Sequence, residues 1–172
     1  MKTISFLCSR AGIAALALTA AFVGCSSDSG ITAPDTAGQF SAVVTNGSPL
    51  SLHGAAGLIS LPATGSDSTS APSSAVLILQ DQKTSAQMGF QWIGTALPPA
   101  GNYAVGSGDL DVAVAFQDST GAIFDGIGGS VTIAPASNGH VSGTFSVTAE
   151  LADSSAHTAS ISGSFNAPIV VQ

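Results

Sequence analysis

From Phe40 onward apolar residues recur at every second position, and this period of two constrains the fold more than any other feature of the chain. Phe40, Ala42 and Val44 alternate with Ser41, Val43 and Thr45. The same spacing returns at Ala86, Met88, Phe90 and Trp92, and again at Leu110, Val112, Val114 and Phe116. Side chains two apart share one face of a strand, so each run is a strand with one face toward a core. Turn residues punctuate the runs: Asn46-Gly47, Asp81-Gln82-Lys83-Thr84, Asp118-Ser-Thr-Gly121 and Asn138-Gly139. Asn-Gly pairs tolerate the positive φ that tight hairpins demand. Leu50–Leu61 is a weaker apolar run broken by Gly54 and Gly57, and Pro62–Ser74, rich in Ser, Thr, Pro and Ala, reads as a long loop.

This pattern predicts an all-β fold, a single antiparallel β-sandwich or a closed β-barrel of about nine or ten strands. Ala75-Val-Leu-Ile-Leu79 is apolar without alternation, which predicts a strand covered on both faces and favours two layers. Six Phe beyond residue 39 and Trp92 are the largest apolar side chains and should dominate the core. Trp92 is expected at its rim, with its N–H paired.

The C-terminal third holds an internal echo. Val141-Ser-Gly-Thr-Phe145 and Ile161-Ser-Gly-Ser-Phe165 are near copies. They predict neighbouring antiparallel strands with matched faces, the interior Gly marking a bulge or a close backbone approach. Val131 and Ile133 supply a preceding strand.

The N-terminus carries a different signal. Lys2 and Arg10 precede an uncharged apolar run, Ala11–Val23, which ends in Gly24-Cys25. A positive start, a short apolar middle and a small-residue exit make a secretory signal. The run is shorter than the about 20 residues a spanning helix needs. Residues 25–38, CSSDSGITAPDTAG, offer little to bury and read as a flexible tether. The organisation is therefore a signal at 1–24, a tether at 25–38 and one β-domain at 39–172.

Phe22-Val23-Gly24-Cys25 resembles the lipobox of bacterial lipoproteins, with Phe22 where that motif usually has Leu. The resemblance implies that Cys25 becomes the acylated first residue of the mature chain. Membrane lipid, reached through that residue, is then the expected partner. Ser26, in place of Asp, implies the outer membrane. With Cys8 lost in the signal, Cys25 is the only remaining cysteine, and no intrachain disulfide supports the fold.

The region from Phe40 onward also resembles an uncharacterised β-rich domain of bacterial lipoproteins. Gly129-Ser-Val-Thr-Ile133, Val141-Ser-Gly-Thr-Phe145 and Ile161-Ser-Gly-Ser-Phe165 carry that likeness. It implies a fold and an address, and it brings no catalytic residues.

Charge excludes one class of partner. Ten acidic residues stand against three basic ones, and removal of the signal leaves only Lys83. One cation cannot build the positive surface that nucleic acid demands. His53, His140 and His157 are dispersed, without the converging ligands of a zinc site. Asp109, Asp111, Asp118 and Asp125 are the best candidates for calcium, although ordinary turn Asp explains them better. No Gly-x-Ser-x-Gly elbow occurs, Gly126-Ile-Gly-Gly129 lacks the rest of a nucleotide loop, and Glu150 is the single Glu. The expectation is a non-enzymatic envelope lipoprotein without metal or cofactor, with an unidentified protein or glycan partner. The alternatives are a carrier or sensor holding a small apolar or glycan ligand inside a barrel, and last an unadvertised hydrolase.

Overall fold

The computed structural model describes residues 38–46, 48–63, 73–106 and 112–172. Nine strands account for most of them: β1 (Gly38–Asn46), β2 (Ser48–Leu61), β3 (Ser74–Asp81), β4 (Gln87–Ile93), β5 (Gly101–Ala104), β6 (Ala113–Gln117), β7 (Ile123–Ile133), β8 (His140–Leu151) and β9 (Ser154–Val171). No helix occurs among the described residues.

The strands form one sheet that closes on itself. Its order is β5-β7-β6-β4-β3-β2-β1-β9-β8, and β8 also pairs with β7. The ring β1-β2-β3-β4-β6-β7-β8-β9 is thus an eight-stranded antiparallel barrel in which chain neighbours are sheet neighbours. β5 is the extra strand. It pairs with Ser130–Ile133 of β7, on the edge where β6 pairs with Ile123–Asp125.

Closure decides between the two architectures that the alternation allowed. β1 bonds to β2 on one edge and to β9 on the other, so the first and last strands leave no open edge between them. The two-layer expectation fails for a related reason. Ala75, Leu77 and Leu79 point into the barrel and are buried, while Val76 and Ile78 point outward and stay half-buried. The strand is covered on one face only, so its unbroken apolar run comes from a core face and an apolar outer face.

An eight-stranded barrel is just wide enough for side chains to fill it. Phe40, Phe90, Phe116, Phe124, Phe145 and Phe165 are all buried inside, with Trp92. Phe90 packs edge-on against Phe145 at 5.2 Å between centroids and lies 6.4 Å from Trp92. Trp92 departs from its expected place: it is 1% exposed, not at a rim, and its Nε1 has no hydrogen-bond partner among the described residues. β4 carries it inward in register with Phe90 and Met88, where carbon surrounds it and few polar groups are at hand.

The near-copies pair as their faces require. Phe145 lies opposite Gly163, and Gly143 lies opposite Phe165. The Phe165 ring takes the space that Gly143 leaves, whereas a Cβ at Gly163 would first meet Ser41 and Ala42 of β1. The β7–β8 turn is built as its Asn-Gly pair foretells, with φ of 53° at Asn138 and 76° at Gly139 and Ser137 bonded to His140.

The barrel has two ends. One carries the β1–β2, β3–β4, β6–β7 and β8–β9 hairpins. The other carries the β2–β3, β4–β5 and β7–β8 connections, the start of β1 at Gly38 and the end of β9. We call these the hairpin end and the entry end.

Candidate functional site

Among the described residues, those singled out for chemistry do not converge. Cys25, the signal at 1–24 and the tether up to Ala37 lie outside the described residues, as do Asp109, Asp111, Leu110 and most of the Pro62–Ser74 loop. Among the described residues, no group of three His, Cys, Asp or Glu gathers where a metal could be held. His53 and His157 are exposed on β2 and β9, and His140 opens β8 with its Nδ1 buried and unpaired.

Two of the carboxylates, Asp118 and Asp81, are engaged in structure. Asp118 caps its own turn, accepting from the Thr120 and Ala122 amides and the Thr120 hydroxyl at 2.7 to 3.0 Å. Asp81 is 4% exposed and accepts four hydrogen bonds. The His53 amide donates to Oδ1 at 2.8 Å, and the Lys83 and Thr84 amides and the Thr84 hydroxyl donate to Oδ2. Burial pushes the Asp81 carboxyl up, but the bonds from Thr84, His53 and Lys83 outweigh it and hold the group below its ordinary range. At Asp118 burial likewise raises, and the Thr120, Ala122 and Gly121 bonds bring the net shift below normal.

What the fold does assemble is a groove of about 530 Å³ on the outer wall. Register explains it. On β1, Ser41 lies between Ser164 of β9 and His53 of β2, and Gln39 lies between Asn166 and Ala55. Alternation turns all six outward, and Gln82 borders them from the β3–β4 turn. Gln39, His53, Gln82 and Asn166 are long and exposed, whereas Ser41, Ser164 and Ala55 are short. The short residues form the floor and the long ones the sides.

The groove's chemistry is specific. Its lining includes no charged residue. Amides and hydroxyls both donate and accept, and a neutral imidazole does the same. No hydrogen bond among the described residues engages the side chains of Gln39, Ser41, Gln82, Ser164 or Asn166. Two facing polar pairs elsewhere on the wall do bond to each other, whereas the Ser162–Ser146 and Thr148–Ser160 pairs, like the groove residues, do not. Gln87 Nε2 donates to Gln117 Oε1 at 2.6 Å, and the Thr132 hydroxyl donates to Asn102 Oδ1 at 3.1 Å. Sequence reasoning missed the groove because its members are dispersed over three strands and a turn. The outward positions of β1 and β9 were readable, but their register was not.

No protein-family model, curated protein or solved structure matches this chain.

Proposed function

We propose that the chain is a lipid-anchored envelope lipoprotein whose barrel is a non-enzymatic binding module for a neutral, hydroxyl-rich ligand of the glycan class, held in the wall groove. The observation that carries this reading is the set of uncharged donors and acceptors, without hydrogen-bond partners among the described residues, around a small-residue floor. A few placed polar groups fix orientation in such sites, and neutral ones suit hydroxyl and acetamido groups without a cost for desolvating charge. The packed aromatic interior supports a site on the wall over one inside the barrel. The lipobox-like Phe22-Val-Gly-Cys25 supports the anchor and, with Ser26, an outer-membrane address.

The test titrates the mature chain with neutral oligosaccharides, cellotetraose and chitotetraose, and follows backbone amide resonances. Shifts should cluster at Gln39, Ser41, His53 and Asn166. The paired variant Gln39→Ala, Asn166→Ala should bind at least about tenfold more weakly, about 1.4 kcal/mol. Shifts confined to other strands, or none with either sugar, would overturn the glycan reading. For the anchor, palmitate labelling should be lost in Cys25→Ala.

A further inference from the structure

The outer wall is two-sided. Across β1, β9, β8 and β7 its rows read Ser41–Ser164–Thr144–Thr132 and Val43–Ser162–Ser146–Ser130, almost all hydroxyls. Across β9, β2, β3, β4 and β6 they read Val170–Ile59–Val76–Gln91–Ala113. The next row, across β2 to β6, is Gly57–Ile78–Gly89–Ala115, and the last is Leu61–Ser74–Ile93. Within these three rows only Gln91 and Ser74 are polar; Asp125 of β7 faces Ala115 at their far edge, and the row toward the hairpin end, Ala55–Gln80–Gln87–Gln117, is polar apart from Ala55. A Cβ added at Gly57 or Gly89 would meet nothing within 4 Å, so the sheet beside Ile78 is bare on its outside.

The apolar side culminates at the entry end, where Ile93 is 68% exposed and Val170 48%; Val171, in register with inward-facing Ser60, stands at the barrel mouth and not on the wall. All the described carboxylates, Asp81, Asp118, Asp125, Glu150 and Asp153, sit in the hairpin half, as does Lys83. Val43, Leu50, Ile123 and Ile127, also exposed, lie outside the apolar rows. A contiguous uncharged apolar face marks an interaction surface.

The point of chain entry identifies what covers it. Gly38 pairs with Ala56 of β2, directly before Gly57 and Ile59. A Cβ there would stand 2.4 Å from Pro168, at the point where β9 runs on into Ile169–Val171. The tether thus joins the barrel at the edge of the apolar face. Thirteen residues from Cys25 to Ala37 span at most about 45 Å, at roughly 3.5 Å per residue. An acylated Cys25 would hold this end within that distance of a bilayer, so contact is effectively intramolecular.

We infer that the apolar wall at the entry end, from Val170 through Ile59 and Val76 to Ile93, is a lipid-facing surface on which the barrel rests against the bilayer that holds its anchor. This rests on acylation of Cys25. The surface lies on the membrane and does not span it, because a spanning barrel is apolar all round and the β1–β9–β8 side is hydroxylic. Ile93 and Val170 sink into the headgroup boundary, and the hairpin end points away with its side-chain carboxylates left in water.

The acylated protein offers a clean probe, since a thioether leaves Cys25 unreactive and any introduced cysteine is unique. Ile93→Cys, Val170→Cys and Leu50→Cys, all at exposed positions, are labelled with an environment-sensitive fluorophore and reconstituted into phosphatidylethanolamine–phosphatidylglycerol vesicles. Labels at 93 and 170 should shift to the blue and be quenched severalfold more by spin-labelled lipid than the label at 50. Acylated protein whose three labels are equally water-exposed overturns the lipid-facing surface alone. Burial at 93 and 170 that persists in detergent together with a dimeric mass assigns the face to a second copy and also overturns it. A bare Cys25 by mass spectrometry overturns the anchor, and the surface with it.

Discussion

Gly143 and Phe165 face each other across the β8–β9 pair, and a Cβ on Gly143 would stand 2.8 Å from the Phe165 ring and 2.2 Å from the carbonyl oxygen of Thr132 on β7. The glycine is therefore held by two neighbours at once. Gly143→Ala must relieve both contacts, the ring and the β7 backbone, and overpacking of this kind costs about 1–3 kcal/mol. Urea unfolding should show a lower midpoint with an unchanged slope. Adding Phe165→Leu should not restore stability, because it leaves the Thr132 contact in place and removes buried ring carbon. Full rescue by the second change would show that the ring alone enforces glycine there.

Asp81 should make the fold acid-sensitive. Its carboxylate accepts from His53 of β2 and from Lys83 and Thr84 of its own turn, so it ties the β2–β3 pair to the β3–β4 turn. The folded protein holds this group below its ordinary value of 3.8, with Asp118 shifted in the same direction. A depressed carboxyl means that the unfolded chain binds more protons in that window, so stability rises with pH across it. The contribution is complete above the unfolded value and is lost as pH falls through the folded one. Thermal unfolding should weaken steeply below about pH 4. Asp81→Asn should lower stability at neutral pH by about 1–3 kcal/mol and flatten the acid slope. An unchanged slope in the variant would assign acid sensitivity to other groups.

These two sites differ in how openly the sequence announces them. Gly143 and Phe165 stand in near-copies, and matched period-two faces on consecutive strands leave little choice but to pair. The same alternation places all six core Phe inside. Closure into a barrel was not readable, because it depends on β1 meeting β9 across the whole length of the domain, and no local pattern encodes that contact. Ala75–Leu79 misled for a physical reason: an apolar run records that both faces avoid water, not whether protein covers both. The groove was hidden for the opposite reason. Gln39, Ser41, His53 and Asn166 look like ordinary outward polar residues until register brings them side by side. Cys25 was legible as a motif, but it lies outside the described residues.

Trp92 and Tyr103 meet edge to face, with centroids 5.9 Å apart and planes at 81°, which links β4 to the extra strand β5. Such a pair contributes about 0.5–1.5 kcal/mol beyond the area it buries. Trp92→Ala should cost about 3–5 kcal/mol, the usual range for a large buried aromatic. Trp92→Phe should cost much less than that, since it keeps a ring near Phe90 and Tyr103 and removes an indole N–H that has no partner. Chemical denaturation of the two variants gives the comparison. Equal losses would mean that the N–H is paired in solution.

The floor of the groove allows a test by addition. Ala55 is exposed, faces Gln39 across β1–β2, and lies among the longer side chains of Gln39, His53 and Gln82. Ala55→Gln would put a long side chain into the space a ligand needs, while its strand partners and buried neighbours stay as they are. A surface change of this kind should leave stability within about 0.5 kcal/mol. Oligosaccharide binding should fall at least about tenfold, the equivalent of about 1.4 kcal/mol. Calorimetric titration and thermal unfolding on the same sample separate the two effects. Undiminished binding in Ala55→Gln would move the ligand off the β9–β1–β2 wall, whatever Gln39→Ala and Asn166→Ala had shown, because deletion can act through the fold and filling an open floor acts on the ligand.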